Sequence, residues 1–148
     1  MQQTQQDAQI DRAFVRIAEG QVHYRTAQPV APAKPAALPL WMIHASPASS
    51  TTLIGLVGQL GLTRHVIAPD TLGNGDSAPP AETAPQMPYY AAAALRTMDA
   101  LGVGAIDLYG SHTGAHIAVE IAIAAPHRVR RMILDGIGMF SPEDTEEL

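Results

Sequence analysis

The chain has 148 residues, 47% apolar and 16% charged, with a mean hydropathy of +0.04. That is enough apolar side chain for one folded core, and it excludes a disordered polymer. A formal net charge of −5, with Arg128, Arg130 and Arg131 as the basic cluster, argues against nucleic acid as a partner. The absence of cysteine excludes a disulfide framework, a thiolate metal site and a thiol nucleophile.

Residues 1–12 are polar and Gln-rich and are expected to form a loose tail. They contain neither a positive n-region nor an apolar h-region, so no signal peptide is expected there. No apolar run is long enough to suggest a membrane span, and a cytoplasmic location is expected. Phe14 to Ala18 and Val22 to Ala27 alternate as short strands around a Glu19-Gly20 turn. Residues 28–37 form a Pro/Ala loop whose three prolines bar a helix or a central strand.

Leu40-Trp41-Met42-Ile43 is a continuous apolar run, the pattern of a strand buried on both faces. Leu53, Leu56, Val57 and Leu60 set one face of a helix expected from Thr51 to Leu62. His65-Val66-Ile67-Ala68 reads as a second buried strand. A Gly/Pro-rich loop follows from Thr71 to Pro88. Tyr89 to Leu101 reads as an Ala-rich helix, Ala105 to Tyr109 as a third buried strand, and Thr113 to Ala125 as a helix ended by Pro126. Met132-Ile133-Leu134 is expected to be a fourth buried strand. Ser141-Pro142-Glu143-Asp144 has the cap and acidic first turn of a further helix. A hairpin followed by strand–helix alternation predicts an α/β fold: a mostly parallel sheet with an antiparallel N-terminal hairpin and helices on both faces. The expected division is a tail at 1–12, a core domain at 13–140 and the start of a cap or C-terminal segment at 141–148.

The chemistry centres on Gly110-Ser111-His112-Thr113-Gly114, between a buried strand and an apolar helix. A strand that turns sharply into a helix holds its central residue above the sheet edge, in a strained conformation. The flanking positions must then be small, hence Gly110 and Gly114. The N–H of Thr113, at the helix N-terminus, points toward any developing negative charge. Upstream, His44-Ala45-Ser46-Pro47 directly follows a strand. Asp70-Thr71-Leu72-Gly73-Asn74-Gly75-Asp76-Ser77 forms a Gly-rich turn after the next one.

The order of these motifs, completed by Pro126-His127-Arg128-Val129-Arg130-Arg131-Met132-Ile133-Leu134, resembles the α/β-hydrolase superfamily over about residues 13–140. The resemblance implies hydrolysis of a small ester or related carbonyl compound in a pocket above the sheet. The N–H groups of Ser46 and Thr113 would be the oxyanion donors. It implies no cofactor and no metal. Three departures stand out. Ala45 replaces the usual glycine after His44. His112 stands where the family carries Ser, Asp or Cys. The sequence also stops after the sixth strand, short of the late loop that bears the family's catalytic histidine, so the fold is expected to be truncated and the chain inactive by itself.

Each candidate residue has a second reading. His112 is either a nucleophile or base aimed into the pocket, or a placeholder that keeps the elbow's architecture in a non-catalytic pseudo-hydrolase that binds a ligand or partner. Ser111, one residue early, faces the other side of the strand. Asp135 lies at the sixth strand's end, where some α/β-hydrolases, notably haloalkane dehalogenases, place the triad acid; otherwise it is a turn residue. His44 reads as a structural residue of the oxyanion loop. Asp70 and Asp76 read as turn residues. His112 and His116 have an i, i+4 spacing, but the first lies on the elbow and no carboxylate completes a metal set. The expected partners are a small-molecule substrate or ligand and, through the exposed sheet edge, a second copy of the chain.

Overall fold

The structure is a computed structural model, and it describes residues 7–31 and 37–138. Six strands form one sheet: β1 (Asp11–Ile17), β2 (Gly20–Ala27), β3 (Leu40–Ile43), β4 (Val66–Pro69), β5 (Ile106–Ser111) and β6 (Val129–Asp135). Their order across the sheet is β1-β2-β4-β3-β5-β6. β1 pairs antiparallel with β2, and β2 antiparallel with β4. The pairs β3–β4, β3–β5 and β5–β6 are parallel. The connecting helices are α1 (Ile54–Leu60), α2 (Met87–Ala100) and α3 (Thr113–Ala124).

The apolar runs explain this layering. In β3, Trp41 and Ile43 face one side, packing with Ile67, Leu108, Met98 of α2, and Ile117 and Ile121 of α3. Leu40 and Met42 face the other side, against Leu53, Val57 and Val66. Trp41 is fully buried. Each such large side chain contributes about 1.5–3 kcal/mol by leaving water. The strand order reverses beside β3: the chain runs outward from β3 to β4, then crosses back to β5 on the other side. The crevice at the carboxyl ends of β3 and β5 is therefore a topological switch point, where open α/β sheets bind ligands.

The structure corrects several details of the sequence reading. The hairpin strands are longer than expected, and β1 begins at Asp11. The helix expected from Thr51 starts as a 3₁₀ turn at Ser50–Leu53. Leu56 is exposed, although Leu53 and Val57 are buried as their spacing requires. His65 precedes β4. β6 has the apolar run of a buried-type strand and, as expected, lies at the edge of the sheet among the described residues, with Met132 at 38% and Ile133 at 64% exposure. An apolar run has the same appearance whether a sheet neighbour covers it or not. Residues 1–6, Pro32 and Pro35 of the Pro/Ala loop, and the expected helix start at 141–148 lie outside the described residues. Among the described residues, no helix is long and apolar enough to cross a membrane.

Candidate functional site

The elbow is built as tightly as its glycines imply. β5 ends at Ser111, α3 starts at Thr113, and His112 between them has φ 48° and ψ −110°. A Cβ at Gly110 would lie 2.3 Å from the carbonyl oxygen of Gly114, and one at Gly114 would lie 2.3 Å from that of Ile43. Strand, turn and helix thus interlock with no room for a methyl group. The His112 N–H donates to the Asp135 carbonyl at 2.7 Å, which ties the elbow to the end of β6. The exposed imidazole rests over Gly136, where a Cβ would meet its Cε1 at 2.6 Å.

The loop after β3 faces the elbow. His44 is buried; its Nδ1–H donates to the Ala45 carbonyl at 2.7 Å, while Nε2 accepts the Thr71 N–H at 3.0 Å. These bonds select one neutral tautomer, and burial pushes the His44 pKa below its ordinary value. His44 therefore braces this loop against the turn after β4. Beyond it, the Ser46 N–H donates to Thr113 Oγ1 at 3.4 Å. Thr113 is the first residue of α3, so the helix offers its own N–H no carbonyl. A cleft of about 180 Å³ opens here, lined in part by Ser46, Thr71, Asn74, Tyr90, Thr113 and Ile117. His112 is not among its lining residues.

Asp135 lies beside Ser111 in the β5–β6 register, and its Oδ2 accepts the Tyr109 hydroxyl at 2.8 Å. Burial, reinforced by Asp135, raises the Tyr109 pKa above its ordinary value. Ser111 shares this face of β5 with Tyr109, as strand alternation predicts. Asp135 thus engages Tyr109 on the α1 side of the sheet.

Asp70 is far more than a turn residue. It is buried, and its carboxylate accepts the N–H of Ser50 at 2.7 Å and of Asp76 at 3.0 Å. His23 Nδ1–H adds a third bond, at 2.8 Å. Burial opposes ionisation, but the bonds from Ser50, Asp76 and His23 outweigh it and hold the carboxyl below its ordinary pKa. At Gly75 (φ +51°) a Cβ would lie 2.1 Å from Asp70 Oδ2, so the loop must carry glycine to close over the carboxylate. His23, Asp70 and Asp76 bring possible ligand atoms within 4.8 Å of one another. Arg12 already fills that position: its Nε donates to His23 Nε2 at 3.0 Å and it pairs with Asp76. The cluster is thus a closed ion-pair network with poor chemistry for a metal.

The structure brings Ser46 and Thr113 together across the cleft and links His112 to Asp135 through the backbone. It does not place the His112 ring in that cleft. Sequence reasoning missed Gly136 as the seat of the imidazole, Asn74 in the cleft wall, and Asp70 with His23 as the loop's anchor. The Gly-x-Gly spacing after Asp70 signals a loop folded onto something small. Nothing local in the sequence pairs it with His23.

A family model described as alpha/beta hydrolase fold matches residues 39–148. The chain is 38% identical over 116 residues to a 2-hydroxymuconate semialdehyde hydrolase of Pseudomonas sp. strain CF600, covering 76% of this chain and 41% of that protein. It is 32% identical over 113 residues to a 2-hydroxy-6-oxo-2,4-heptadienoate hydrolase of Pseudomonas putida F1, covering 74% of this chain and 41% of the relative. Among solved structures, the N-acyl homoserine lactonase AidH superposes with a TM-score of 0.76 at 24% identity, over 94% of this chain and 57% of the lactonase. The chain therefore spans well under half the length of these hydrolases and somewhat over half of the lactonase.

Proposed function

This chain belongs to the alpha/beta hydrolase fold family, and from that premise we propose that it supplies the carbonyl-binding half of a site for hydrolysing a small ester or related carbonyl compound. The observation that carries this reading is the cleft at the switch point, where Ser46 and Thr113, the first residue of α3, meet through the bond from the Ser46 N–H to the Thr113 hydroxyl. The Ser46 N–H donates to the Thr113 hydroxyl. A bound carbonyl oxygen would take that place, between two backbone dipoles that favour developing negative charge. Hydrolysis of carbonyl-bearing substrates by its relatives supports the same substrate class.

No acyl-serine is expected. The elbow residue is His112, and Ser111 lies on the other face of β5, beside Asp135. In a longer parent protein, His112 would act as base or nucleophile. The 148-residue chain alone should bind without turnover. A second reading, a pseudo-hydrolase in which His112 is a placeholder, is favoured by the imidazole's seat on Gly136, outside the cleft lining. A cysteine-free chain suits a reducing compartment such as the cytoplasm.

Titration of the labelled protein with a short-chain ester or lactone tests the binding claim by amide NMR. Shifts should concentrate at Ser46, Asn74 and Thr113; a response elsewhere with these three silent overturns it. A fluorophosphonate should leave the protein unlabelled, and stoichiometric labelling at Ser111 would refute the no-acyl-serine claim. In an active parent protein, His112→Ala should cut turnover on the order of a hundredfold if the imidazole is catalytic. It should change turnover only a few-fold if the residue is a placeholder.

A further inference from the structure

We infer, on the carbonyl-binding reading of the cleft, that the site has a second compartment in which the Trp41 indole N–H binds one uncharged oxygen at the far end of the substrate. A smaller cavity of about 20 Å³ adjoins the cleft, between the sheet and α2, lined in part by Trp41, Asp70, Ala93 and Thr97. The two spaces share Thr71, Tyr90 and Ile117 in their walls. That volume admits one water-sized group. It suits a single oxygen and leaves no room for a longer chain.

The chemistry of this cavity begins with the sequence of β3. It reads Leu-Trp-Met-Ile and is buried throughout. A Leu or Ile at position 41 would fill the core without a polar atom. Trp41 instead carries an indole N–H into a position with no solvent exposure. Its Nε1–H has no acceptor among the described residues. Buried indole N–H groups ordinarily find a partner, because an unpaired donor has lost its hydration uncompensated.

The neighbours of the indole define what it can take. The Thr97 hydroxyl already donates to the Ala93 carbonyl at 2.8 Å, so its proton is committed and its oxygen can only accept further. The cavity therefore presents one free donor and one acceptor. A ketone oxygen uses the donor, and a hydroxyl can use both. A carboxylate is excluded. Asp70 stands in the same wall, its own carboxylate held by the N–H groups of Ser50 and Asp76 and by His23. A second anion there would be desolvated beside a like charge. The substrate class narrows to a small carbonyl compound with a second, neutral oxygen on its apolar arm.

Trp41 is the chain's single tryptophan, so its indole N–H gives an unambiguous NMR signal. Methyl levulinate and methyl valerate differ only in a distal ketone. Both should shift the amides of Ser46, Asn74 and Thr113. Only methyl levulinate should shift the indole signal, and it should bind roughly tenfold more tightly, as one hydrogen bond to a buried donor allows. Trp41→Phe removes the donor, and Ala93→Val fills the cavity while keeping the indole. Each should bring the ratio of the two affinities close to one. Monomethyl succinate, whose distal group is a carboxylate, should leave the indole signal in place. An indole that contacts water and ignores methyl levulinate would make the cavity a water site only and overturn the inference. Equal affinities for the two esters in the wild-type chain, or an indole shift with monomethyl succinate, would also overturn it. Silence of Ser46, Asn74 and Thr113 with both esters would overturn the carbonyl-binding reading itself, and this compartment with it.

Discussion

His112 is the only non-glycine residue with positive φ among the described residues. Such a backbone costs an L side chain about 1–3 kcal/mol and persists only where its surroundings enforce it. Here Gly110 and Gly114 enforce it through their close contacts, and the bond to the Asp135 carbonyl locks it. His112→Gly should therefore raise stability by about 1 kcal/mol, read from the denaturant midpoint. Gly136→Ala should lower it, both because φ is +66° and because the added Cβ meets the imidazole. Combining the two changes removes the clash but keeps the backbone penalty. A double-mutant cycle should return a coupling of about 1 kcal/mol. Strict additivity would show that the ring does not rest on Gly136.

At the scale of elements, the loop after β4 is held from within by one buried carboxylate. Asp70 joins the N-terminal hairpin, through His23, to the turn that ends at Ser77 and to the 3₁₀ turn at Ser50. Asp70→Asn replaces an acceptor oxygen with an N–H₂ that must face another donor. The expected cost is about 2 kcal/mol, with faster hydrogen exchange at the amides of Ser50 and Asp76. Unchanged exchange there would mean that the loop closes without the carboxylate. The same elements show what sequence makes legible. The elbow, the helix starting at Thr113 and the inner strands β3, β4 and β5 follow from local pattern: small–large–small spacing, apolar runs and glycine stops. The His23–Asp70 bond joins residues 47 positions apart, and no periodicity encodes such a pairing. The apolar run of β6 does not by itself distinguish an edge strand from an inner one, since burial belongs to the assembled sheet and an apolar run looks alike in either place.

Across the whole molecule, the sheet has two chemically distinct ends. At the carboxyl end lies the cleft. At the amino end of β5, Asp107 accepts from Arg64 at 2.8 Å and is gripped by Arg130 through both oxygens. The bonds from Arg130 lead, those from Arg64 assist, and they outweigh burial, so the carboxyl titrates at about 2 instead of near 3.8. A carboxyl whose folded pKa is depressed stabilises the protein above its unfolded pKa. That stability disappears as the pH falls through the folded value. Allowing for solvent around Arg130, whose side chain is 39% exposed, the contribution is about 1–2 kcal/mol. His44 works in a separate window. Its lowered pKa means that the unfolded chain binds the proton first, so stability begins to fall as the pH drops below about 6.5. Acid titration of stability should thus show two declines, one starting near neutrality and one between about pH 4 and 2. Asp107→Asn should lower stability at neutral pH and flatten the second decline while leaving the first in place. If the acid limb keeps its slope in that variant, the clamp at the foot of β5 is not what the sheet loses in acid.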